Sequence, residues 1–207
     1  MAKSILICHP GRCGSHWLLN LLQELTGLET LPAWPGLAAI PPGHIVGTRE
    51  QLDGLETMQD ELHILFLLRD PRDVETSMRI YSEHVVPGHF HVEADAILEN
   101  LGWFRWYLET APGVRHFVIR YEQMWIDSMV AIKGLFAQID RLLPDNQLLE
   151  AIYHNSFGFR AGRKLGCEDV TNHLRKGVIG DWTNHWSAEK AWAFDTRFEK
   201  ELCQLGY

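Results

Sequence analysis

Residues 9–17, His-Pro-Gly-Arg-Cys-Gly-Ser-His-Trp, follow the apolar run Ile5–Cys8, and an apolar stretch at helical spacing, Leu18 to Leu25, comes after them. Strand, glycine-bearing loop and helix in that order place backbone N–H groups and a helix N-terminus against an anion. Arg12, Gly14 and Ser15 are the residues that would cradle it. The loop is not a Gly-x-x-x-x-Gly-Lys-Ser/Thr motif, because no lysine lies between Lys3 and Lys133. Nor is it a Cys-x5-Arg phosphatase loop, since Arg12 stands only four residues after Cys8. An ordinary ATP or GTP phosphotransferase fits poorly.

Two further clusters carry cations. Arg69-Asp70-Pro71-Arg72-Asp73 ends an apolar run, and Ser77 follows on a helix. A guanidinium and a hydroxyl there could clamp one phosphate. Leu174-Arg175-Lys176-Gly177-Val178-Ile179-Gly180-Asp181-Trp182 puts two cations beside a glycine, which suits a flexible loop folding over an anion.

The elements that must position these groups are legible as alternating strands and helices. Strands are expected at Lys3–His9, Leu62–Leu68 and Val114–Ile119, and Arg120-Tyr121-Glu122 follows the last. Asp70 and Pro71 provide an N-cap and a first-turn proline for a helix to about His84. Further helices are expected at 93–111, at 128–154 with a break near Pro144, and at about Ala188–Leu205. Residues 28–61 and 158–187 read as irregular. Apolar strands alternating with helices imply a parallel sheet covered on both faces, with ligands at the carboxyl ends of its strands. The polar clusters at the three strand ends, 9–16, 69–77 and 120–122, should converge on one crevice.

The chain has 207 residues, 46% hydrophobic, with eight tryptophans. That suits one globular domain, 1–207, able to bury a sizeable core. A net charge of −8 disfavours a general nucleic-acid binder. The four cysteines form no Cys-x-x-Cys pair, so no metal is expected. Neither a signal-peptide core nor about 20 consecutive apolar residues for a membrane span is found, so the expected location is cytoplasmic.

Together the clusters resemble the sulfotransferases that use 3′-phosphoadenosine 5′-phosphosulfate (PAPS). Arg12-Cys13-Gly14-Ser15-His16-Trp17 looks like the Lys-Ser-Gly-Thr-Thr-Trp part of that family's phosphosulfate loop, with Arg12 in the lysine's place. Arg69 and Ser77 match its 3′-phosphate pair, an arginine and a serine eight residues later. Its closing loop, Arg-Lys-Gly-x-x-Gly-Asp-Trp, is unchanged at 175–182. Tyr121-Glu122-Gln123 and Asn155-Ser156-Phe157 resemble its adenine-side motifs. The resemblance implies a P-loop-NTPase-like α/β fold, a central parallel sheet flanked by helices. It also implies that PAPS is the sulfuryl donor and 3′-phosphoadenosine 5′-phosphate (PAP) the product. On that pattern Arg12, Cys13, Gly14, Ser15, His16 and Trp17 hold the phosphosulfate end. Arg69, Ser77, Arg175, Lys176 and Gly177 hold the 3′-phosphate, and Trp17, Tyr121, Ser156 and Phe157 the adenine.

Sulfuryl transfer to a hydroxyl or amine is an in-line displacement. It needs a cation at the leaving phosphate, oriented N–H donors and a general base. Arg12 is the expected cation. The family uses a histidine upstream of the second apolar strand, and Gly43-His44 fits best; His16, His89 and His91 are rivals. The partner is a small-molecule acceptor of unread identity, with segments 28–61 and 85–95 around its pocket and aromatic residues at 34, 81, 90 and 103 to line it. No nucleic acid or membrane is expected, and the chain is a monomer or homodimer. A non-catalytic nucleotide-binding scaffold on the same fold is the alternative reading.

Overall fold

Strand β1 (Ser4–Cys8) is buried at every residue and β4 (Leu62–Leu68) at all but His63. Strands apolar on both faces need helices on both sides. The computed structural model, which describes residues 3–86 and 94–207, has this arrangement. Five strands form one sheet in the order β2-β3-β1-β4-β5, with β2 at Glu29–Thr30, β3 at His44–Thr48 and β5 at Phe117–Arg120. Every pairing is parallel.

Successive residues of a strand point to opposite faces, and the two halves of the core divide accordingly. Ile5, Ile7, Leu65, Leu67 and Ile119 pack with Leu18, Leu21 and Leu22 of α1 (Ser15–Thr26). On the same face lie Leu135 and Phe136 of α6 (Ser128–Gln138) and Leu148 of α7 (Asp145–His154). Leu6, Cys8, Ile64, Phe66 and Leu68 pack on the other face. They meet Val74 and Met78 of α3 (Pro71–His84), and Trp103 and Phe104 of α4 (Ala94–Thr110). The C-terminal α9 (Ala188–Leu205) builds a smaller cluster from Phe194, Phe198 and Leu202 with Leu101 and Trp186.

Local signals explain the helix ends. The Asp70 carboxylate accepts the Arg72 N–H at 2.9 Å, and Pro71 occupies the first turn of α3. Gly27 closes α1 in the left-handed region, with φ 71°. Three expectations need correction, and one helix is not among the expectations. Residues 28–61 hold β2, β3 and the short α2 (Leu55–Met58), because pairing with β1 rather than local pattern makes the strand. The last strand starts at Phe117, since Ala111–Gly113 forms a 3₁₀ turn that uses the Val114 N–H. Tyr121 opens a helix, α5 (Tyr121–Ile126). Residues 158–187 are not wholly irregular: α8 spans Phe157–Ala161, and Asp181–Asn184 is a 3₁₀ turn.

Candidate active site

The register aligns Cys8 with Thr48 and Phe66, and Leu68 with Arg120. Residues after β1, β3, β4 and β5 therefore leave the sheet at one edge. The loop after β1 turns through two left-handed residues, Arg12 at φ 59° and Gly14 at φ 88°. A Cβ on Gly14 would lie 2.6 Å from the Tyr121 ring, so only glycine fits there.

Arg12 is the hub. Its Nη2 donates to the His173 carbonyl at 2.7 Å and its Nε to Ser77 Oγ at 3.3 Å, and the guanidinium lies 4.3 Å from the centre of the Tyr81 ring. Burial, reinforced by nearby Arg69 and Arg175 and opposed by Tyr81, pushes its pKa down to about 10, so it stays cationic at neutral pH. Arg69, 8% exposed, donates to the Arg12 and Val178 carbonyls at 3.0 Å and lies 4.2 Å from the Tyr121 ring centre. The loop after β1, Arg69 and Tyr121 thus meet as the sequence implies, and the 174–182 segment joins them.

The closing segment is anchored from below. Asp73 of α3 accepts the Gly180 N–H at 2.7 Å and the Trp182 N–H at 3.0 Å. Its cations are not free. Arg175, 8% exposed, pairs with Asp181 at 2.5 Å and with Glu168, and Lys176 donates to Asp181 at 2.6 Å. The expectation of a flexible basic loop is corrected here: a buried carboxylate gathers both cations onto one side. Trp125 of α5, which sequence reading did not single out, donates its indole N–H to the Gly177 carbonyl at 2.8 Å. Gly177 has φ 68°, and a Cβ there would fall 2.3 Å from Phe157 Cδ2. Gly177→Ala is expected to cost about 1–3 kcal/mol by overpacking and left-handed strain. The measured Tm should fall by several degrees; an unchanged Tm would mean the loop is not held against Phe157.

At the other end of the crevice, Trp17 meets Tyr121 edge-on at 5.8 Å. Phe157 lies beside Gly177, with the Arg163 guanidinium 5.1 Å from its ring centre. Ser156 Oγ caps α8 by accepting the Phe159 N–H at 3.3 Å. Cys13 turns inward: its thiol is fully buried, donates to the Pro10 carbonyl at 3.0 Å, and burial pushes its pKa up to about 12. Only its backbone is offered to a ligand.

His44 does not join the group. It opens β3, and its N–H bonds Ser4 Oγ at 3.2 Å, at the amino-terminal edge of the sheet. Its ring pairs with the Pro42 carbonyl and lies 4.0 Å from Glu29. A parallel strand carries its first residue away from the ligand edge, which is the reason the expectation fails. His89 and His91, and Phe90 with them, lie outside the described residues. His16 is exposed and meets the His173 ring edge-on at 5.9 Å. Arg12, His16, Tyr81, Val85, Asn172 and His173 line an open cleft of about 440 Å³. Trp103 is core, at 4% exposure, and Trp34 donates to Glu50 at 2.6 Å.

Two residues at the ligand edge escaped sequence reading. His9 extends β1, its N–H bonding the Thr48 carbonyl at 3.0 Å. Arg49 follows β3, and its side chain lies within 4 Å of where a Gly11 Cβ would sit. Arg49 belongs to no motif; a strand ending at residue 48 would have pointed to it.

The described residues include five buried side-chain nitrogens without a hydrogen-bond partner. Three belong to this crevice: Trp17 Nε1, Arg69 Nε and Arg175 Nε. All are donors, and a buried unmade donor costs about 1–3 kcal/mol. An anionic ligand rich in acceptors, such as PAPS, fits that deficit. Glu168, Asp181 and His185 come close enough to suggest a metal, but Arg175 and Lys176 already occupy Asp181.

A family model described as "Sulfotransferase domain" matches residues 48–206. Sulfotransferase 2A2 of Rattus norvegicus is 21% identical over 96% of this chain and 83% of its own length. Sulfotransferase 2A2 of Mus musculus is 27% identical over 97% and 84%. Among solved structures, mouse sulfotransferase SULT7A1 complexed with PAP superposes with a TM-score of 0.74 at 20% identity, covering 97% of this chain and 84% of that one. Retinol dehydratase in complex with androsterone and inactive cofactor PAP gives 0.72 at 16% identity, with 96% and 80% covered. At these identities the structural likeness establishes the fold.

Proposed function

Because the chain belongs to the sulfotransferase domain family, whose members move the sulfuryl group of PAPS to a small-molecule acceptor, we propose that Arg12 and the loop after β1 carry that transfer here. The observation behind the assignment is the junction at Arg12, where the loop, Ser77 of α3 and the closing segment meet through one guanidinium. Bound PAPS supplies an activated sulfuryl group on a good leaving phosphate; the protein supplies place and field.

Arg12 stabilises charge that gathers on the leaving phosphate, as a delocalised cation that keeps its own proton. The Gly14–Trp17 backbone at the start of α1 offers N–H groups to the same oxygens. Arg69, Ser77, Arg175, Lys176 and Gly177 hold the 3′-phosphate. Trp17, Tyr121, Ser156 and Phe157 face the adenine, with aromatic edges and faces suited to a flat purine. The 440 Å³ cleft beside Arg12 and Tyr81 takes a small acceptor. No helix among the described residues is long and apolar enough to cross a membrane, and the enzyme is proposed to act in the cytoplasm. The protein is proposed to work as one catalytic unit, 1–207, as a monomer or homodimer.

Thermal stabilisation by PAP, ADP and ATP tests this reading. PAP at about a hundredfold excess over its Kd should add about 2.7 kcal/mol of stability. ADP and ATP, lacking the 3′-phosphate, should add much less at equal concentration. Equal stabilisation by ADP would remove the 3′-phosphate site, and with it the PAPS assignment.

A further inference from the structure

With His44 at the wrong edge of the sheet, the described histidines at the ligand edge are His9, His16 and His173. A base must come within about 3 Å of the acceptor's proton, directly or through one water. Among the described residues, His9, 8% exposed, is the buried imidazole at that edge. Its Nδ1 lies 2.8 Å from the Pro10 carbonyl. A carbonyl only accepts, so Nδ1 carries the hydrogen and Nε2 keeps its lone pair. Nε2 has no hydrogen-bond partner among the described residues. It lies 3.4 Å from where a Cβ on Gly47 would sit, which places the ring beside β3.

We propose that His9 Nε2 is the general base of the transfer. The inference rests on the sulfotransferase reading above. The acceptor O–H proton passes to Nε2 as the acceptor oxygen bonds sulfur. The bond from sulfur to the 5′-phosphate oxygen breaks, and its electron pair stays on that oxygen. A sulfate ester, PAP and a His9 imidazolium result, and the imidazolium returns its proton to water. The charged and titratable groups facing the ring are Arg49, beyond β3, and His16, at the start of α1. Burial above all, with Arg49 and His16 adding and the Pro10 hydrogen bond opposing, pushes the His9 pKa down to about 4. The ring is therefore neutral, and able to accept a proton, throughout the physiological range. The negative charge of a ligand on the adjacent loop raises its basicity when the base is needed.

His9→Asn separates this role from a structural one. The asparagine amide nitrogen reaches the place of Nδ1 and can still donate to the Pro10 carbonyl, but nothing replaces Nε2. His9→Asn is expected to bind PAP as the wild type does in thermal-shift titrations, while PAPS turnover falls about 10²-fold or more. The wild-type ring, observed by ¹⁵N NMR with PAP bound, is expected as the Nδ1–H tautomer between pH 6 and 8. An Nε2–H tautomer, or undiminished turnover in His9→Asn, overturns the base and leaves the sulfotransferase reading intact. A wild type that neither binds PAP nor turns over PAPS overturns that reading itself, and the base falls with it.

Discussion

Replacing Arg12 by alanine is expected to slow sulfuryl transfer about 10³-fold, the upper end for removal of one preorganised charge-stabilising donor. The loss should fall in kcat, with PAP affinity changed less than tenfold. The reasoning is geometric. Arg12 sits at the crossing of three elements, but in the proposed arrangement the anion contacts of the ground state are shared with Arg69, Arg175, Lys176 and the backbone of the loop. Charge that appears only as the leaving phosphate departs has fewer partners. Alanine meets the same left-handed backbone cost at φ 59° as arginine, so strain does not confound the comparison. Arg12→Lys keeps a cation but loses the reach to Ser77 Oγ and the His173 carbonyl together, and should lie between the two. Single-turnover rates with saturating PAPS, beside PAP titrations of each variant, decide the matter. A loss confined to KM would make Arg12 a binding residue only.

Much of this site could be read before any coordinates. Strands β1 and β4 and the capped α3 announce themselves because burial on both faces leaves near-continuous apolar runs, and Asp70-Pro71 is local chemistry. Arg12, Arg69 and Arg175 could be named because each stands at a strand end or beside a glycine. Two things lay beyond local pattern. One is β3: His-Ile-Val-Gly-Thr is short and broken by a glycine, and exists as a strand because β1 and β2 pair with it. Without that strand the positions of His44 and Arg49 relative to the sheet edge are not legible, and Gly43-His44 reads as the best-fitting base. The other is the state of the cations. Arg175-Lys176-Gly177 looks like a mobile basic tip, yet Asp181, four to six residues on, bends back to neutralise it. Sequence order does not show which oxygen a guanidinium chooses.

That carboxylate sets the second large expectation. Asp181, 2% exposed, accepts from Arg175, Lys176 and Asn184 and lies 3.2 Å from His185 Nε2. Asp181→Ala leaves the buried Arg175 with Glu168 as its only carboxylate partner and is expected to cost about 3–5 kcal/mol of folding stability, the usual penalty for breaking a buried pair from one side. Asp181→Asn keeps the shape and some hydrogen bonds, and should cost less. Burial pulls the Asp181 carboxyl up, but hydrogen bonds from Lys176, Arg175 and Asn184 outweigh it and hold it well below the usual carboxylate range. A depressed native pKa stabilises the fold above the unfolded value, about 3.9, and the benefit is lost as pH falls through the native one. Chemical denaturation of wild type and Asp181→Asn should therefore show the full gap at neutral pH and a narrowing one below about pH 4. A gap that holds constant into acid would mean that packing, not charge, makes Asp181 valuable. The consequence reaches the ligand as well. A segment already ordered by Asp181 and Asp73 loses less conformational freedom when it closes on a 3′-phosphate. Asp181→Asn should therefore weaken PAP binding at neutral pH even though it removes a negative charge from beside the anion site, the reverse of what simple repulsion predicts.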